Sequence, residues 1–479
     1  MTADSHDGTA PRPAGTALAA ESGPGHGSGR AGARGRAGAR PRRSGRPPRW
    51  ALVASAAAFA VSAGLLVAVF AAARRDLWAM LDLHVYLWGG KLTWRSGRPY
   101  QRLYPGYHLY FTYPPMAAGI FAILLRLTVP VVQWLVTVAS VLSLTVVLWL
   151  TWGQLGVRRP AARLAATLAL AAVTLWIEPV QQTLAFGQVN LVLMLVIVAD
   201  LCLPDRRWWK GAGVGLAAGF KLTPLIFVPY LLLTRRFRAA AVAVVTFGLT
   251  IGGSFALLPK AARQFWLGGL FLDSGRVGNI SYVGNQSLYG AATRLLRDTA
   301  AAHPYWLVNV AVVGAAGLGL AALLSRRGQE MAGILTCALT GLLVSPVSWS
   351  HHWVWVAPML AAVTVSAVRL AARNPGRWWR QAGWAAPAVI LALFFAYPFH
   401  LAPGAPLVPE GLLWTLPAPA VQGSGMSGLQ QVTGNLYVLA GLAGLCLIGG
   451  CLAVARDPAA DPRGGRLPPE PGGAHAPAG

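Results

Sequence analysis

Long apolar runs constrain this chain more than any other feature. They recur from Trp50 almost to the end, and many are near the 18 residues that mark a membrane-spanning helix. Backbone inside a bilayer must satisfy its own hydrogen bonds, which helices do, and the runs lack the alternation of a β-barrel. With only 11% charged residues, the sequence predicts an all-α, polytopic transmembrane protein with about 10–12 membrane segments.

The predicted segments include two that are unusual. One is short and follows Pro114-Pro115, and the other is interrupted by Lys221 and Pro224. We expect one or both to enter and return as broken helices, because irregular backbone is tolerated where it lines a cavity. The apolar runs cover residues 51–73, 114–128, 131–152, 161–177, 188–203, 211–234, 239–258, 304–325, 331–346, 352–370, 383–400 and 433–455.

The two ends differ from the apolar body in composition. Residues 1–48 and 457–479 are rich in Gly, Pro and Arg or Ala, which is typical of disordered tails. We predict that both are cytoplasmic, and that residues 49–456 form one transmembrane domain. The polar lead is too long for a signal peptide. Residues 74–112, rich in Tyr and Trp, are predicted to be the first outer loop.

The formal net charge of +25 does not indicate a nucleic-acid partner. Nine Arg precede Trp50, and most other basic residues form short clusters beside apolar spans, as the positive-inside rule and contact with anionic lipids require. The four cysteines lie in apolar runs without metal-ligand spacing, and we interpret them as core residues. Membrane lipids are the predicted partners.

Asp82 is the most promising catalytic residue in the sequence. Acidic residues are scarce, and none lies between Leu83 and Ile177. A carboxylate at the membrane boundary can have its pKa raised by partial desolvation. A plain loop or cap aspartate is the alternative. Polar neighbours that favour a binding role follow within ten residues: His84, Tyr86 and Lys91.

Lys221 is the lone charge in the apolar run GVGLAAGFKLTPLIFVPYLLL. An ammonium at that depth normally faces a cavity or a partner, and a lipid phosphate is a suitable one; snorkelling to the interface is the alternative. His351 and His352 lie between two apolar runs and are candidate phosphate donors. A metal site is the less favoured interpretation of this pair, since no matching carboxylates are apparent.

Amides and aromatic residues supply the remaining candidates. Gln188 and Asn190 begin an apolar run and can bond sugar hydroxyls, although Asn190 alone could be a helix cap. Tyr113 precedes two prolines that fix an extended entry into the next segment. Asn285 and Gln286 lie between aromatic residues in a long loop and either contact sugar or cap the following helix.

Taken in order, these motifs resemble glycosyltransferase family 87, a family of polyprenyl-phosphate-mannose-dependent α-1,2-mannosyltransferases with the GT-C membrane fold. The resemblance covers roughly residues 50–455 and rests on the ordered set Asp82…Tyr86…Gly89-Gly90, Tyr113-Pro114-Pro115, Gly187-Gln188-Val189-Asn190, Phe220-Lys221-Leu222-Thr223-Pro224, Asn285-Gln286-Ser287 and Ser345-Pro346…His351-His352. It implies an active site on the extracytoplasmic face of the plasma membrane and a catalytic aspartate in the first outer loop, which is Asp82.

The expected reaction moves a mannosyl residue from the lipid donor to a glycan or glycolipid acceptor, with inversion. Asp82 is the expected general base, and Lys221 with His351 and His352 would hold the donor phosphate. We expect no cofactor and no metal, because neither a nucleotide-binding loop nor a metal constellation is visible. The alternatives are a GT-C transferase using another polyprenyl-phosphate sugar, such as arabinofuranose, and a lipid-linked sugar transporter or flippase.

Overall fold

The structure, a computed structural model, describes residues 49–72, 79–373, 376–400 and 407–454. The predicted tails at 1–48 and 457–479 lie outside the described residues. The described helices are α1 (Arg49–Ala72), α2 (Leu81–Ser96), α3 (Pro115–Leu124), α4 (Val129–Gln154), α5 (Pro160–Thr174), α6 (Glu178–Ala185), α7 (Asn190–Leu201), α8 (Ala212–Phe220), α9 (Phe227–Leu233), α10 (Phe237–Leu257), α11 (Pro259–Ala262), α12 (Leu288–Leu296), α13 (Thr299–Arg326), α14 (Glu330–Val344), α15 (Val356–Arg373), α16 (Arg377–Phe394), α17 (Ala418–Val421), α18 (Gly428–Gly434) and α19 (Leu436–Val454).

Short 3₁₀ turns join several of these helices, at Thr223–Ile226, Leu270–Leu272, Ser274–Val277, Ser350–Trp355 and Leu412–Thr415, and a π turn covers Arg263–Leu267. Two short antiparallel strands pair as β1 (Tyr397–His400) and β2 (Leu407–Glu410). The prediction that the apolar run 383–400 is helical throughout is wrong at its end, because α16 stops at Phe394 and β1 follows. The all-α, multi-pass fold class is confirmed.

Six helices in the described part of the chain are long and apolar enough to cross a membrane, and a bent pair makes a seventh candidate. The six lie at Arg49–Ala71, Val129–Gln154, Phe237–Leu257, Thr299–Arg326, Ser350–Ala372 and Leu436–Ala453. The other predicted segments are apolar helices of 10–17 residues. At 1.5 Å per residue such helices are shorter than the roughly 30 Å hydrocarbon layer.

Two breaks in the helices shape the region around Asp82. The break predicted at Lys221 is present, because α8 ends there and Lys221 itself is extended (φ −150°, ψ 130°). The sequence does not predict the second break, in which α6 and α7 meet at an angle of 117°. The break covers residues 186–189, and the predicted apolar run 188–203 begins inside it. Both breaks place polar side chains inside an otherwise apolar body.

Glycines allow α2 to lie close against its neighbours. A β-carbon at Gly90 would lie 2.6 Å from the carbonyl carbon of Phe121 in α3, and one at Gly89 would lie 2.5 Å from the Phe111 ring. Neither approach is possible for a residue with a side chain. The buried side chains around this contact form one apolar cluster, whose members include Leu83, Tyr86, Tyr100, Phe111, Tyr113 and Phe265. The helix that carries Asp82 is therefore held firmly.

Candidate active site

The first turn of α2 is capped by the end of α6. The backbone N–H groups of Asp82 and Leu83 both donate to the carbonyl of Phe186, at 3.1 Å each. These N–H groups have no partner within their own helix, so the second segment satisfies them. Gly187 makes the turn possible: its φ is +66°, and a β-carbon there would lie 2.7 Å from Leu83 Cβ. The contact fixes Asp82 beside Gln188.

A chain of hydrogen bonds orients the Asp82 carboxylate. Tyr86 Oη donates to Tyr113 Oη at 2.9 Å, and Tyr113 Oη donates to Gln188 Oε1 at 3.0 Å. Gln188 Nε2 then donates to Asp82 Oδ2 at 2.7 Å and lies 3.2 Å from His351 Nε2. Because Tyr113 fixes the amide oxygen, the amide nitrogen must face the carboxylate. Within the described residues Asp82 Oδ1 has no hydrogen-bond partner.

Burial raises the pKa of Asp82 from 3.8 to about 6, against the opposing effects of the Gln188 hydrogen bond and the nearby Lys221 charge. The side chain nevertheless keeps part of its surface exposed to a cavity. A carboxylate with this pKa is ionised at neutral pH and is a stronger base than an ordinary aspartate. The environment therefore suits proton abstraction.

Lys221 lies in the gap between α8 and the 3₁₀ turn that follows it. Its ammonium donates to Asn190 Oδ1 at 2.9 Å and is 2.9 Å from His352 Nε2, and it lies 5.3 Å above the Tyr113 ring. A lysine ammonium has three donors, so one remains for a ligand. Contact with the ammonium makes His352 Nε2 an acceptor, and so unprotonated.

His351 plays a different part from its neighbour. Its backbone carbonyl accepts from Thr183 Oγ1 at 2.9 Å and from Asn190 Nδ2 at 3.0 Å, which ties the 3₁₀ turn Ser350–Trp355 to both α6 and α7. Its ring packs edge-on against Phe186. Three segments that are distant in sequence thus meet around Gln188: α2, the bend between α6 and α7, and the 3₁₀ turn Ser350–Trp355.

One cavity of about 290 Å³ lies beside Asp82. The predicted general base Asp82 lines it, together with the predicted phosphate contacts Lys221 and His352 and the predicted substrate contacts Tyr86, Tyr113 and Gln188. A further set of polar and aromatic lining residues was not selected from the sequence: Tyr110, Asp273, Arg276, Tyr289, His303, Trp306 and Trp349. Most of that set lie in or beside the loop 259–303 but outside its Asn285-Gln286-Ser287 motif. For these residues the sequence offers one signal, the scarcity of acidic residues, which applies to Asp273.

Six predicted site residues do not line this cavity. His351 lies beside Gln188, and Asn190, which bonds Lys221, lines a second cavity next to it. His84 stacks against Tyr104, and Lys91 lies over Trp88 on the opposite face of α2 from Asp82. Asn285 and Gln286 are fully buried, and their amides bond backbone groups. Asn285 bonds Ile280 O and Ser348 N, while Gln286 bonds Gly434 O and Tyr437 N. Both amides hold loops together.

Glu178, at the other end of α6, is a second buried carboxylate. Its Oε1 accepts from Trp414 Nε1 and its Oε2 from Tyr437 Oη, both at 2.9 Å. The side chain is completely buried and lines no part of the cavity. Nearby Glu410 accepts from Gln182 at 3.4 Å, and burial together with the Glu178 charge raises the pKa of Glu410 to about 8.

The described residues contain no group of three or more His, Cys, Asp or Glu side chains placed to hold a metal ion. The Nε2 atoms of both histidines already have neighbours: Gln188 Nε2 beside His351, and the Lys221 ammonium beside His352.

Comparison with known proteins supports the family suggested by the motifs. The family model described as glycosyltransferase family 87 matches residues 111–346, a range that includes Gln188 and Lys221. A polyprenol-phosphate-mannose-dependent alpha-(1-2)-phosphatidylinositol pentamannoside mannosyltransferase of Mycobacterium tuberculosis (strain CDC 1551 / Oshkosh) is 36% identical over 312 residues, which is 62% of this chain and 71% of the relative.

This chain belongs to glycosyltransferase family 87. A second relative, the polyprenol-phosphate-mannose-dependent alpha-(1-2)-phosphatidylinositol mannoside mannosyltransferase of M. tuberculosis (strain ATCC 25618 / H37Rv), is 33% identical over 303 residues, covering 59% of this chain and 70% of the relative. No solved structure matches the chain at a significant level. The protein is therefore a multi-pass membrane glycosyltransferase, as the motifs predicted.

Proposed function

We propose that this glycosyltransferase moves a mannosyl residue from polyprenyl-phosphate-mannose to a mannolipid acceptor of the phosphatidylinositol mannoside type, using Asp82 as general base. Relatives that are 33–36% identical carry this donor and this acceptor class in their names. The observation that carries the mechanism is that one cavity holds a carboxylate with a free oxygen and a buried ammonium with a free donor.

In the proposed step, Asp82 Oδ1 takes the proton of the acceptor hydroxyl as that oxygen attacks the anomeric carbon. The bond from the anomeric carbon to the phosphate oxygen breaks on the opposite face, and its electron pair stays on the phosphate. A single displacement inverts the anomeric centre, as in inverting glycosidases, where the base activates the attacking oxygen. A β-linked donor then yields an α-linked product.

Lys221 and His352 support the leaving group. A phosphate oxygen is a stable leaving group, so a fixed positive charge can stabilise it without a separate acid. Lys221 is held by Asn190 and His352 before any ligand arrives, so little reorganisation is needed. Ionised Asp82 and Lys221 would keep opposite charges on the attacking and leaving sides of the sugar.

The polyprenyl chain also has a place beside Lys221. A second cavity, of about 60 Å³, shares Lys221, Thr223 and His352 with the first. The rest of its lining is largely apolar and includes Leu193, Met194, Ile197, Ile226, Phe227 and Leu342. A phosphate at Lys221 would therefore have apolar space next to it for the first part of an isoprenoid.

On the acceptor side, Arg276 is the most suitable contact. Its guanidinium lies 3.8 Å over the Tyr110 ring and, among the described residues, donates once, to Tyr100 O at 2.7 Å. The remaining N–H donors can bond sugar hydroxyls, and Trp349 offers a ring face for the apolar side of a pyranose. We place the acceptor sugars along the side of the cavity that carries Arg276 and Trp349.

The same proposal covers location and organisation. We place the protein in the plasma membrane with the cavity on the extracytoplasmic face, and treat residues 49–456 as the catalytic domain. Support comes from the family and from the basic clusters beside the spans. A cysteine-accessibility scan with a membrane-impermeant thiol reagent tests the sidedness: Cys introduced at exposed Asp273 should react in intact cells, and labelling only after lysis would reverse the orientation.

The deciding experiment is transfer by purified, reconstituted protein from radiolabelled polyprenyl-phosphate-mannose to a mannolipid extract. We expect a labelled product whose new linkage is α by NMR, and none with the Asp82→Asn variant. Parallel reactions with polyprenyl-phosphate-arabinofuranose test the rival donor. Labelled lipid crossing sealed vesicles without transfer, in wild type and variant alike, would support a flippase and overturn the proposal.

A further inference from the structure

A basic recess lies on the surface of α2 that faces away from Asp82. It has a volume of about 410 Å³. Five cationic side chains line it: Lys91, Arg95, Arg98, Arg102 and Lys260. The other lining residues are Trp88, Leu92, Ser96 and Gln101, so the recess contains no carboxylate. None of its residues lines the catalytic cavity.

Ion pairing among the described residues does not account for the five cations. The ion pairs of the described residues involve Lys210 and Arg236 with Asp205 and Glu330, all elsewhere in the chain. The end of α2 supplies only about half a negative charge, which is too little to balance so many cations. Lys91 contacts the Trp88 ring at 5.5 Å, a contact that positions the cation without neutralising it.

The recess is built from two segments that pack together. Gly97 ends α2 with a φ of +68°, and a β-carbon there would be 3.4 Å from Lys260 Cδ. Lys260 therefore lies in van der Waals range of the end of α2, where the positive φ favours glycine. Trp88 Nε1 donates to Arg102 O at 3.4 Å, which draws the following turn back along the helix.

The exposed surface of α2 carries basic and aromatic side chains. His84, Trp88, Lys91 and Arg95 are not buried and follow one another at i, i+4, i+7 and i+11 along one face, and Trp94 and Ser96 are exposed at the end of the helix. The opposite face is buried against the protein. Trp94 is 70% exposed beside this stripe. Tryptophan is enriched at membrane–water interfaces, and basic side chains there attract anionic lipid headgroups.

We propose that the basic recess binds the phosphate headgroup of an anionic phospholipid in the same leaflet as the α2 interface. Three features specify this ligand: cations without a counterion among the described residues, tryptophans beside those cations, and a helix that follows the candidate membrane span α1. Asp82 and Arg95 lie on the same helix, about 20 Å apart along its axis at 1.5 Å per residue. Headgroup binding at one end therefore restrains the helix that carries the carboxylate at the other.

The test compares two variants of equal charge. Arg95→Gln/Arg98→Gln/Arg102→Gln removes three recess cations, and Arg158→Gln/Arg297→Gln/Arg327→Gln removes three exposed cations elsewhere. Binding of fluorescent phosphatidylglycerol to the detergent-purified proteins is measured beside phosphatidylcholine. We expect about 100-fold weaker phosphatidylglycerol binding for the recess variant, from about tenfold or less per cation, and a small change for the control.

Two binding outcomes would overturn the proposal. Equal losses in both variants would mean that net charge alone attracts the lipid. Full displacement by inorganic phosphate at a concentration equal to that of the lipid would identify a free-anion site instead of a lipid site. Retained thermal stability in both variants shows that folding is not the cause of a loss.

An activity arm rests on the proposed function. Mannosyl transfer by wild type is expected to rise when phosphatidylglycerol is added to phosphatidylcholine vesicles, and transfer by the recess variant is expected to stay constant. An equal rise in both proteins would overturn the link between the recess and α2. Absence of transfer by wild type in any vesicle would count against the proposed function, while the binding result would still decide the lipid site.

Discussion

The two ends of α6 each position a buried carboxylate, but they do so in different ways. At the N-terminal end both oxygens of Glu178 accept hydrogen bonds, from Trp414 and Tyr437, and no part of the side chain is exposed. At the C-terminal end Asp82 has one oxygen bonded to Gln188, and the other faces a cavity. A carboxylate with no free oxygen can only hold structure together, whereas one that is half-satisfied can accept a proton.

The largest expected effect is the loss of transfer in Asp82→Asn. The amide keeps the size of the carboxylate but cannot take a proton, and general bases contribute about 10²–10⁴-fold. We expect at least a 1,000-fold lower rate in the transfer assay, with unchanged elution on size exclusion. Transfer within tenfold of wild type would remove Asp82 from the chemistry and leave the two carboxylates equivalent.

A smaller loss is expected in Lys221→Met. The variant keeps the length of the side chain but removes the charge near the leaving phosphate, which should lower kcat by about 100-fold. His352→Gln, which keeps a hydrogen-bonding group, should lose less. The measurement is kcat and KM for the lipid donor. An effect on neither would place the phosphate elsewhere in the cavity.

The pH profile sharpens the comparison further. Asp82 must be ionised to act as a base, so kcat/KM should fall as pH drops through about 6, the raised pKa of this group. Below it the fall should be about tenfold per pH unit. In Lys221→Met the fall of the residual kcat/KM should begin at a higher pH, because the positive charge that lowers the pKa of Asp82 is gone. A fall of kcat/KM only near pH 4 would contradict the effect of burial on the pKa of Asp82.

The contribution of the tyrosine chain is expected to be modest. Tyr86→Phe removes the hydroxyl that donates to Tyr113, so the Tyr113–Gln188–Asp82 alignment loosens without losing a reacting group. A hydrogen bond worth about 0.5–1.5 kcal/mol corresponds to roughly a 2–12-fold lower kcat. Tyr305→Phe, at an exposed position, is the matched control and should match wild type. A loss as large as that of Asp82→Asn would give Tyr86 a direct part in the reaction.

At the other end of α6, Glu178→Gln should leave turnover by the folded protein unchanged. The amide has one acceptor oxygen for the two donors, Trp414 and Tyr437, that the carboxylate now satisfies. Its nitrogen would face one of them, and losing a buried hydrogen bond costs about 1–3 kcal/mol. We therefore expect a lower thermal midpoint in detergent with kcat retained. A normal thermal midpoint combined with lost transfer would show that Glu178, like Asp82, is needed for the reaction, and the two carboxylates would no longer differ in role.

Much of the fold and part of the site could be predicted from the sequence, for physical reasons. Apolar runs long enough to be membrane segments are visible in any sequence, and a single charge in such a run, Lys221, is costly enough to indicate a cavity. The 117° bend before Asn190 could not be predicted, because Leu191–Val198 continues an ordinary apolar helix. The bend depends on a tertiary contact between Gly187 and Leu83.

Side-chain direction explains the remaining differences. Lys91 follows Asp82 by nine residues, which places it on the opposite side of α2, so proximity in sequence does not bring the two side chains to one site. Asn285 and Gln286 have the residue types of a sugar site, but their amides bond buried backbone groups. Arg276 was missed because its role depends on the path of a loop.

The bonds around Gln188 also have a consequence for biosynthesis. Gln188 is 106 residues from Asp82 and 163 from His351, and Lys221 is 131 from His352. A nascent chain enters the membrane from its N-terminus, so Asp82 is translated long before the histidines that complete its surroundings. Catalytic competence therefore arises late in synthesis, and enzyme activity reports that insertion has proceeded through His352.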